Sequence, residues 1–378
     1  MSQKILFGFG AYKKLNDILK KLTPRRTLLI TGKESFTSSG AEKLLGEIIN
    51  KYDCVRFCDF AINTRLEDIK NGVDLLNETQ SDLIMGVGGG SVIDLAKAAA
   101  ILATQAGSIK EIIKNGTALQ ARKVPIVIIP TTAGTGSEST HFSTVYIGKK
   151  KHSLAHYSMI PDYAIVDPTF TMNLPAYLTA CTGMDAMCQA IESHWSVNST
   201  GQSRLYSRQA LILALSNIVK AVNSPNRISR ENMCRASNLA GRAINIAETT
   251  AAHSLSYPMT SYYNLPHGHA VSLTLPYFVE FNYNVSLKNI QDKRGVAFVK
   301  NRIDEMLEAL EVKTPKEARE KIIDIMKAIG LETRLSKLGI YNGGIEIIRK
   351  NAYNPQRMKN NPRAVKDDDV ACLLEKIK

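Results

Sequence analysis

The first half of the chain alternates short apolar runs with amphipathic stretches. Five of these runs are mostly apolar and are bounded by polar or turn residues, which predicts β-strands. They cover residues 26–31, 53–57, 82–87, 124–129 and 164–167. Between the first two, residues 41–52 carry apolar side chains at helical spacing. Apolar strands that alternate with helices predict a parallel sheet covered on both faces.

The pattern changes from about Pro175 onward, where strand-like runs become rare and long helical patterns dominate. Residues 205–222 are apolar on nearly every face, which predicts a buried central helix. Two stretches read as amphipathic helices nearer the surface, residues 316–329 and 367–376. We therefore predict an α/β domain over residues 1–170, followed by an all-α domain over residues 171–378.

Composition excludes several classes of protein. The 378 residues are 44% hydrophobic and 22% charged, as in a globular enzyme and unlike a collagen-like or disordered chain. No apolar run approaches the ~20 residues of a membrane helix, and MSQKILFGFGAYKKL lacks the pattern of a signal peptide. The six cysteines include no CxxC pair and read as reduced thiols. We expect a cytoplasmic protein with no membrane partner.

The net charge of +13 favours anionic partners. The densest basic clusters are Lys20, Lys21, Arg25 and Arg26, and the run of Lys149, Lys150 and Lys151. Neither is interleaved with aromatic residues, and no motif of a DNA- or RNA-binding domain is present. We interpret most of the surplus as solvated surface, with an anionic substrate as the next explanation and no nucleic acid partner.

A glycine-rich loop follows the third predicted strand, where residues 86–97 read GVGGGSVIDLAK. Its three consecutive glycines are Gly88, Gly89 and Gly90. Glycine allows the backbone to approach a ligand closely, and the unpaired N–H groups of the next helix suit a pyrophosphate. Ser91 is predicted to cap that helix, with Asp94 at the capping-box position. The alternative is a tight strand–helix turn without a ligand.

A second polar loop, PTTAGTGSE, follows the fourth predicted strand at residues 130–138. It contributes Thr131, Thr132 and Ser137 as candidate cofactor contacts. Ligands of open α/β sheets bind outside the carboxyl ends of the strands, so the two loops predict one nucleotide site.

The order GGGSVIDLAK and then IPTTAGTGSE resembles the iron-containing (group III) alcohol dehydrogenase family. The resemblance continues through PDYAIVDP, TGMDAMCQAIES and LPHGHAVSLTLPYFVEFN, and it covers essentially the whole chain. It implies a dinucleotide-binding α/β domain followed by a helical domain that carries a metal and the substrate. Within the family, the segments TGKESF, FCDFAINTRLED, AIESHW and NPQRMKNNPR are most similar to phosphonoacetaldehyde reductases.

The resemblance implies a site for Fe²⁺ or Zn²⁺. Family members bind the metal through an Asp, a His four residues later on the same helix face, and two further His. Asp185, His253 and His267 match three of these positions, whereas Gln189 replaces the first His. An amide oxygen is a weaker ligand than imidazole for these metals, so we expect Gln189 to weaken metal binding. Gln189 either binds the metal, holds a metal-bound water, or bonds the substrate in a metal-free site.

The resemblance also indicates catalytic residues. Many relatives have a His at the position of Tyr257, so Tyr257 is a candidate proton donor; the alternative is an aromatic side chain that fills space. His267 shares the electrophilic role, and His269 lies close enough in sequence to reach the same site. Candidates for a basic clamp on an anionic substrate, by position only, are Arg235, Arg242 and Lys359.

The cofactor is a nicotinamide dinucleotide by the same resemblance. Relatives that prefer NAD have an acidic residue where this chain has Gly32. A carboxylate repels a 2′-phosphate, whereas Gly32 with Lys33 and Ser35 nearby accepts one, so we expect NADPH as well as, or ahead of, NADH. Thr131 and Thr132 are expected near the nicotinamide and ribose, and Lys151 is expected to reach a ribose hydroxyl.

These observations predict NAD(P)H-dependent reduction of a small aldehyde to an alcohol, with phosphonoacetaldehyde or another anionic aldehyde as substrate. Two alternatives remain. One is a dehydroquinate synthase-like lyase, whose architecture is shared but whose motif order differs. The other is a non-catalytic or metal-independent nucleotide-binding protein. Since relatives are commonly dimers, the resemblance implies a homo-oligomer.

Overall fold

The computed structural model describes residues 3–116 and 118–378. Its contacts divide the chain into two compact units, an N-terminal unit that ends at Leu174 and a C-terminal unit that begins at Pro175. Within the described residues, every helix is too short or too polar to cross a membrane.

The N-terminal unit is built on a parallel six-stranded sheet and one antiparallel hairpin. The strands are β1 (Lys4–Phe7), β2 (Thr27–Thr31), β3 (Cys54–Phe57), β4 (Leu83–Gly88), β5 (Ile126–Pro130), β6 (Phe142–Ile147), β7 (Lys150–Ala155) and β8 (Tyr163–Val166). The sheet has the order β1-β8-β5-β4-β2-β3, and β6 pairs with β7. The five predicted strands are all confirmed, with shifts of one or two residues at their ends. Strand β1 and the β6–β7 hairpin were not predicted.

Helices cover both faces of this sheet, as the mostly apolar strands predict. They are α1 (Leu15–Leu22), α2 (Ser35–Ser38), α3 (Ala41–Ile49), α4 (Leu66–Glu78), α5 (Gly90–Leu102) and α6 (Ile109–Asn115). On one face Leu28 and Ile30 pack with residues of α4, α5 and α6. On the other face Leu29 packs with residues of α1 and α3. Alternate residues of β2 therefore enter two separate cores.

The strand order reverses within this unit, which is where open α/β sheets bind ligands. Strand β2 pairs with β3 on one side and with β4 on the other. The order of the strands therefore reverses between β2 and β4, and ligands of such sheets bind at the carboxyl ends of the strands at this point. Gly32 and Gly88 lie at those two carboxyl ends.

The described part of the C-terminal unit is helical. Its helices are α7 (Ala176–Trp195), α8 (Gly201–Asn223), α9 (Arg227–Ala247), α10 (Ala251–Tyr263), α11 (His267–Tyr283), α12 (Val296–Ala309), α13 (Pro315–Ala328), α14 (Asn342–Asn351), α15 (Pro355–Asn360) and α16 (Asp367–Lys376). Helix α7 is buried over most of its length and packs against α8, α9 and α11. The unit thus has α7 at its centre.

The prediction that residues 205–222 form a central buried helix was wrong. Helix α8 covers this segment, but Leu205, Ile212 and Val219 are 52%, 41% and 38% exposed. These residues are spaced by seven and share one face, while small side chains such as Ala210 and Ala214 lie on the buried face. Because apolar residues occur on all sides of this helix, the sequence did not indicate which face packs against the neighbouring helices.

Candidate active site

The two polar loops of the N-terminal unit lie side by side. Gly88 at the end of β4 is in register with Pro130 at the end of β5. The amide of Thr131 donates a hydrogen bond of 3.0 Å to the carbonyl of Gly88. The loops predicted to bind one ligand are therefore joined directly through their backbones.

Packing within the protein favours glycine at all three positions, most strongly at Gly88 and Gly90. A Cβ on Gly88 would lie 2.4 Å from Cγ2 of Val92, and one on Gly90 would lie 2.8 Å from Cγ2 of Thr135. A Cβ on Gly89 would lie 3.2 Å from Cγ2 of Thr132. Close approach of the loops leaves the first-turn N–H groups of α5, which have no partner within their own helix, at the carboxyl end of the sheet.

The predicted capping box at α5 is wrong. The helix begins after Gly89, which makes no side-chain cap. The hydroxyl of Ser91 instead accepts a hydrogen bond of 3.1 Å from the amide of Asn63. The carboxylate of Asp94 accepts hydrogen bonds from the hydroxyl of Ser137 at 2.6 Å and the amide of Thr144 at 3.0 Å. Ser91, Asp94 and Ser137 thus hold the loops in place through protein contacts.

A buried lysine that was not predicted completes this arrangement. Lys97 is 0% exposed, and its ammonium donates to the carbonyl of Ser137 at 2.9 Å and the hydroxyl of Thr140 at 2.8 Å. Burial lowers the pKa of Lys97 to about 8, although the charges of Asp94 and Glu138 oppose the shift. Its signal in the sequence is a single lysine within the apolar helix LAKAAAIL.

Gly32 has a neighbour that was not predicted either. Arg56 on β3 donates a hydrogen bond of 2.9 Å from Nε to the hydroxyl of Thr31, and one of 3.4 Å from Nη2 to the carbonyl of Gly32. The carboxylate of Glu42 lies 3.9 Å from Nη1 of the same guanidinium. Lys33 is exposed. The carboxyl end of β2 therefore presents positive charge and no carboxylate at position 32.

The remaining N-terminal candidate, Lys151, lies in β7 opposite Tyr146 and is half-buried. Its role toward a ribose hydroxyl remains a prediction.

In the C-terminal unit three candidate metal ligands converge from three helices. Asp185 lies on α7, His253 on α10, and His267 is the first residue of α11. One potential ligand atom from each lies within 4.8 Å of the others. Close packing brings α11 to α7, since a Cβ on Gly268 would lie 1.9 Å from the carbonyl oxygen of Cys181. Only glycine beside His267 permits this approach.

Glu192, one turn after Gln189 on α7, fixes the orientation of His253. Its fully buried carboxylate accepts hydrogen bonds from the amides of Thr250 and Ala252 at 3.1 and 3.0 Å, and the other oxygen contacts Nδ1 of His253. The ring is thereby held with Nε2 facing Asp185, at 3.6 Å from Oδ1. Imidazole ligands of metals are commonly oriented by such a carboxylate.

Trp195 extends this network. Its indole Nε1 donates a hydrogen bond of 3.1 Å to the hydroxyl of Thr250, which donates at 2.7 Å to Glu192. The motif AIESHW thus supplies both the carboxylate and the indole.

The charges in the cluster favour a cation. Burial alone raises the pKa of Asp185, but the imidazole of His253, the charge of His267 and the amide of Gln189 together lower it below its usual value. Burial likewise opposes protonation of His253, yet the charge of Glu192 and contact with Asp185 raise the pKa of His253 to about 9. A metal-bound imidazole must be neutral, so a divalent cation would replace this proton.

The donor set fits a divalent metal. Among the described residues, no donor lies within hydrogen-bond distance of Asp185 Oδ1, although the atom is buried. A buried carboxylate oxygen without a donor is costly unless a cation satisfies it. Gln189 lies one turn after Asp185 and its amide interacts with that carboxylate. The four matched positions therefore belong to one cluster, with an amide in place of one imidazole.

Tyr257 and Arg357 border this cluster. The ring of Tyr257 stacks on that of His267 with centroids 6.2 Å apart. The Tyr257 oxygen accepts a hydrogen bond of 3.2 Å from Nε of Arg357. Ser256 contacts Nδ1 of His267 at 3.3 Å.

Other candidates lie outside the cluster. His269 contacts the carbonyl of Glu332 at 2.8 Å and the hydroxyl of Tyr177 at 3.2 Å, so the prediction that it reaches the metal cluster is wrong. The proposed basic clamp is not formed by the predicted residues either. Arg235 pairs with Glu231, Arg242 donates to Tyr206, and Lys359 is exposed.

Two sequence families match the chain. Residues 2–168 match "Iron-containing alcohol dehydrogenase" and residues 179–378 match "Fe-containing alcohol dehydrogenase family, C-terminal". Long-chain-alcohol dehydrogenase 1 of Geobacillus thermodenitrificans is 29% identical over 374 residues, which cover 97% of this chain and 93% of the relative. Phosphonoacetaldehyde reductase of Streptomyces viridochromogenes is 32% identical over 308 residues, covering 79% of this chain and 77% of the relative.

Solved structures agree with these matches. The crystal structure of sulfoacetaldehyde reductase from Bifidobacterium kashiwanohense in complex with NAD+ has a TM-score of 0.85 and 30% identity, covering 99% of this chain and 96% of that one. Both the predicted fold class and the predicted resemblance are confirmed. The chain therefore belongs to the iron-containing alcohol dehydrogenase family and is an oxidoreductase of alcohols and aldehydes.

Proposed function

We propose that this enzyme reduces a small anionic aldehyde to the alcohol with NADPH or NADH, and that phosphonoacetaldehyde is a substrate. The observation that carries the proposal is the convergence of Asp185, His253 and His267 within 4.8 Å, bordered by Tyr257 and the buried Arg357. Relatives that act on phosphonoacetaldehyde and sulfoacetaldehyde support an anionic substrate.

The N-terminal unit supplies the cofactor site in this proposal. The amides at the start of α5, which follow the Gly88–Gly90 turn, receive the pyrophosphate. Thr131 and Thr132 border the same crevice. A relative of known structure binds NAD+, which supports a nicotinamide dinucleotide in general.

NADPH is favoured by the residues around Gly32. No carboxylate side chain is present at position 32 itself, and Arg56 lies beside its carbonyl. A guanidinium at the end of the second strand is well suited to a 2′-phosphate. Replacement of Gly32 by Asp should shift the preference toward NADH by about tenfold or more, measured as the ratio of kcat/KM values.

Reduction adds a hydride from the nicotinamide to the carbonyl carbon and a proton to the carbonyl oxygen. We assign that proton to Tyr257, because its phenol borders the metal cluster and its ring stacks on His267. His267 positions Tyr257 by stacking, and Glu192 holds the ring of His253 toward Asp185. These residues keep the oxygen-binding end of the site rigid.

Asp185, His253 and His267 would hold Fe²⁺ or Zn²⁺, with Gln189 contributing an amide oxygen or a bound water. The metal would supply Lewis-acid polarisation of the carbonyl oxygen when bound. Because an amide is a weaker ligand than imidazole, the metal should be released by chelators more readily than from relatives with His at this position.

NADPH oxidation with phosphonoacetaldehyde, with and without EDTA, tests the proposal. We expect turnover that EDTA abolishes and that added Fe²⁺ or Zn²⁺ restores. Turnover that survives complete removal of metal would contradict the metal-dependent mechanism and leave Tyr257 as the main electrophile. Absence of turnover with NADPH and NADH, with either metal added, would contradict the proposed substrate.

A further inference from the structure

Arg357 is a buried cation beside the reacting end of the candidate site. It lies on the short helix α15, and its residue is only 8% exposed. Lys359, two residues further along the chain, is exposed. The helical segment therefore turns one basic side chain inward and leaves the other in solvent.

The guanidinium is held by two partners that use only part of its donor set. Nη1 donates to the carboxylate of Glu248 at 2.7 Å, and Nε donates to the hydroxyl of Tyr257 at 3.2 Å. In the described part of the chain, no acceptor bonds to Nη2. A planar guanidinium presents its donors as a fork, so one edge remains for a ligand.

The backbone is strained to hold this arrangement. Glu248 has φ 58° and ψ 173°, a region of conformational space that is essentially restricted to glycine. The carboxylate of Glu248 accepts hydrogen bonds from both Arg357 and Asn360. The strain therefore serves to place a carboxylate against a guanidinium.

A second set of contacts joins α15 to the helix that bears the candidate ligands. Ser254, which follows His253, donates to the carbonyl of Ala352 and accepts from the amide of Asn354 at 2.8 Å. Asn354 in turn accepts from the amide of Arg357 at 3.2 Å, and so caps α15. Arg357 is thus positioned relative to the Asp185–His253–His267 cluster by hydrogen bonds at both ends of its segment.

We propose that Arg357 binds a phosphonate or sulfonate on the carbon next to the aldehyde, and that Glu248 positions it. This inference rests on the reductase activity proposed above. Tyr257 contacts both the guanidinium and the ring of His267, so Arg357 is one side chain away from the metal cluster. In this proposal an aldehyde with its oxygen at the cluster carries its α-substituent to Nη2. The two N–H groups of Nη2 and the second N–H of Nη1 are the donors that such an oxyanion would use. A neutral aldehyde gains nothing from this group.

The test compares kcat/KM for phosphonoacetaldehyde, sulfoacetaldehyde and acetaldehyde in wild type, Arg357→Met and Arg357→Lys. We expect wild type to prefer the anionic substrates, and Arg357→Met to reduce the anionic-to-neutral ratio by about 100-fold, mainly through KM. Arg357→Lys should recover part of the ratio because it keeps the charge but not the fork. The control Lys359→Met, two residues away on the surface, should leave the ratio unchanged.

The two arms with different anions identify the ligand. A higher kcat/KM for phosphonoacetaldehyde assigns the site to a phosphonate, and a higher kcat/KM for sulfoacetaldehyde assigns it to a sulfonate. Either result supports the anion site. A second measurement on the unmodified enzyme guards against misfolding of the variants: ethylphosphonate or ethanesulfonate should inhibit competitively against the anionic aldehyde.

The same measurements distinguish failure of the Arg357 assignment from failure of the proposed function. If wild type prefers the anionic aldehydes but Arg357→Met keeps the ratio, the assignment of Arg357 is wrong and the proposed function stands. If wild type reduces acetaldehyde as well as the anionic aldehydes, both the anion site and the anionic substrate are wrong. If no aldehyde is reduced, both are overturned together.

Discussion

The two candidate sites use different parts of the polypeptide. In the N-terminal unit the site is built from backbone: Gly88, Gly89, Gly90 and the amides of α5, with Thr131 joined to Gly88. In the C-terminal unit it is built from side chains that come from three helices. A backbone site tolerates variation in the surrounding side chains, whereas a side-chain site depends on each partner that orients its ligands. The two units should therefore respond differently to mutation.

The largest expected difference follows from removing a candidate ligand. His253→Ala and Asp185→Asn should each lower kcat by about 1000-fold or more if the metal-assisted mechanism holds. The Kd for NADPH, measured by fluorescence titration, should change by less than about threefold because neither residue belongs to the nucleotide loops. Equal losses in turnover and nucleotide affinity would show that the two sites are not separable in this way.

The second-largest effect is expected from a methyl group at Gly268. Its Cβ would meet the Cys181 carbonyl at 1.9 Å, so Gly268→Ala must push α11 away from α7. We expect the free energy of unfolding to fall by about 3 kcal/mol and metal binding to weaken, measured by urea titration and by metal analysis after dialysis. Gly201→Ala is the matched control, since a Cβ there meets nothing within 4 Å. Similar behaviour of the two variants would contradict the close-packing argument.

Loss of the carboxylate that orients His253 should have a smaller effect. Glu192→Gln keeps the shape of the side chain but weakens its hold on Nδ1 of His253. Metal affinity should fall by about 10–100-fold, as measured by competition with a chromogenic chelator. Glu305→Gln serves as a control, because Glu305 also contacts a histidine, His194, outside the cluster. An affinity unchanged from wild type would rule out the orienting role.

The smallest effect concerns the N-terminal unit and depends on pH. Lys97 has a pKa of about 8 in the folded protein and 10.5 as its ordinary value, so the unfolded chain binds its proton more tightly. Burial of this charge therefore destabilises the fold below pH 8, and the penalty is relieved as pH rises from about 8 to 10.5. Relative to Lys97→Met, wild type should gain about 1–2 kcal/mol of unfolding free energy between pH 7 and 9.5.

Urea titrations of both proteins at the two pH values give this difference. Titratable groups that do not interact with Lys97 are common to wild type and variant and cancel in this difference. A difference that is flat with pH would mean that Lys97 keeps its ordinary pKa inside the fold.

The same contrast explains what could be predicted from the sequence. The strands and the glycine loop follow from local patterns, because a buried strand that ends in three glycines has few other structures available. The candidate ligands came from resemblance, since Asp185, His253 and His267 are far apart in the chain. Partners such as Glu192 and Arg357 were missed, because a charged residue in a helix gives no local sign that it is buried.

Errors in the prediction have a common physical cause. Ser91 and Asp94 have the spacing of a capping box, but tertiary partners outcompeted the local hydrogen bonds. Helix α8 was predicted to be buried because apolar residues lie on nearly every one of its own faces, yet Leu205 is half exposed. Local sequence records which interactions are possible, and packing decides among them.

The link from Trp195 through Thr250 to Glu192 gives the enzyme an internal fluorescent reporter. Trp195 is the single tryptophan of the chain, and its indole is buried within two hydrogen bonds of the carboxylate that holds His253. Any change in charge at that carboxylate alters the electric field across one chromophore, without background from others. Emission excited at the indole band can therefore follow events at the helical site in real time and without a label.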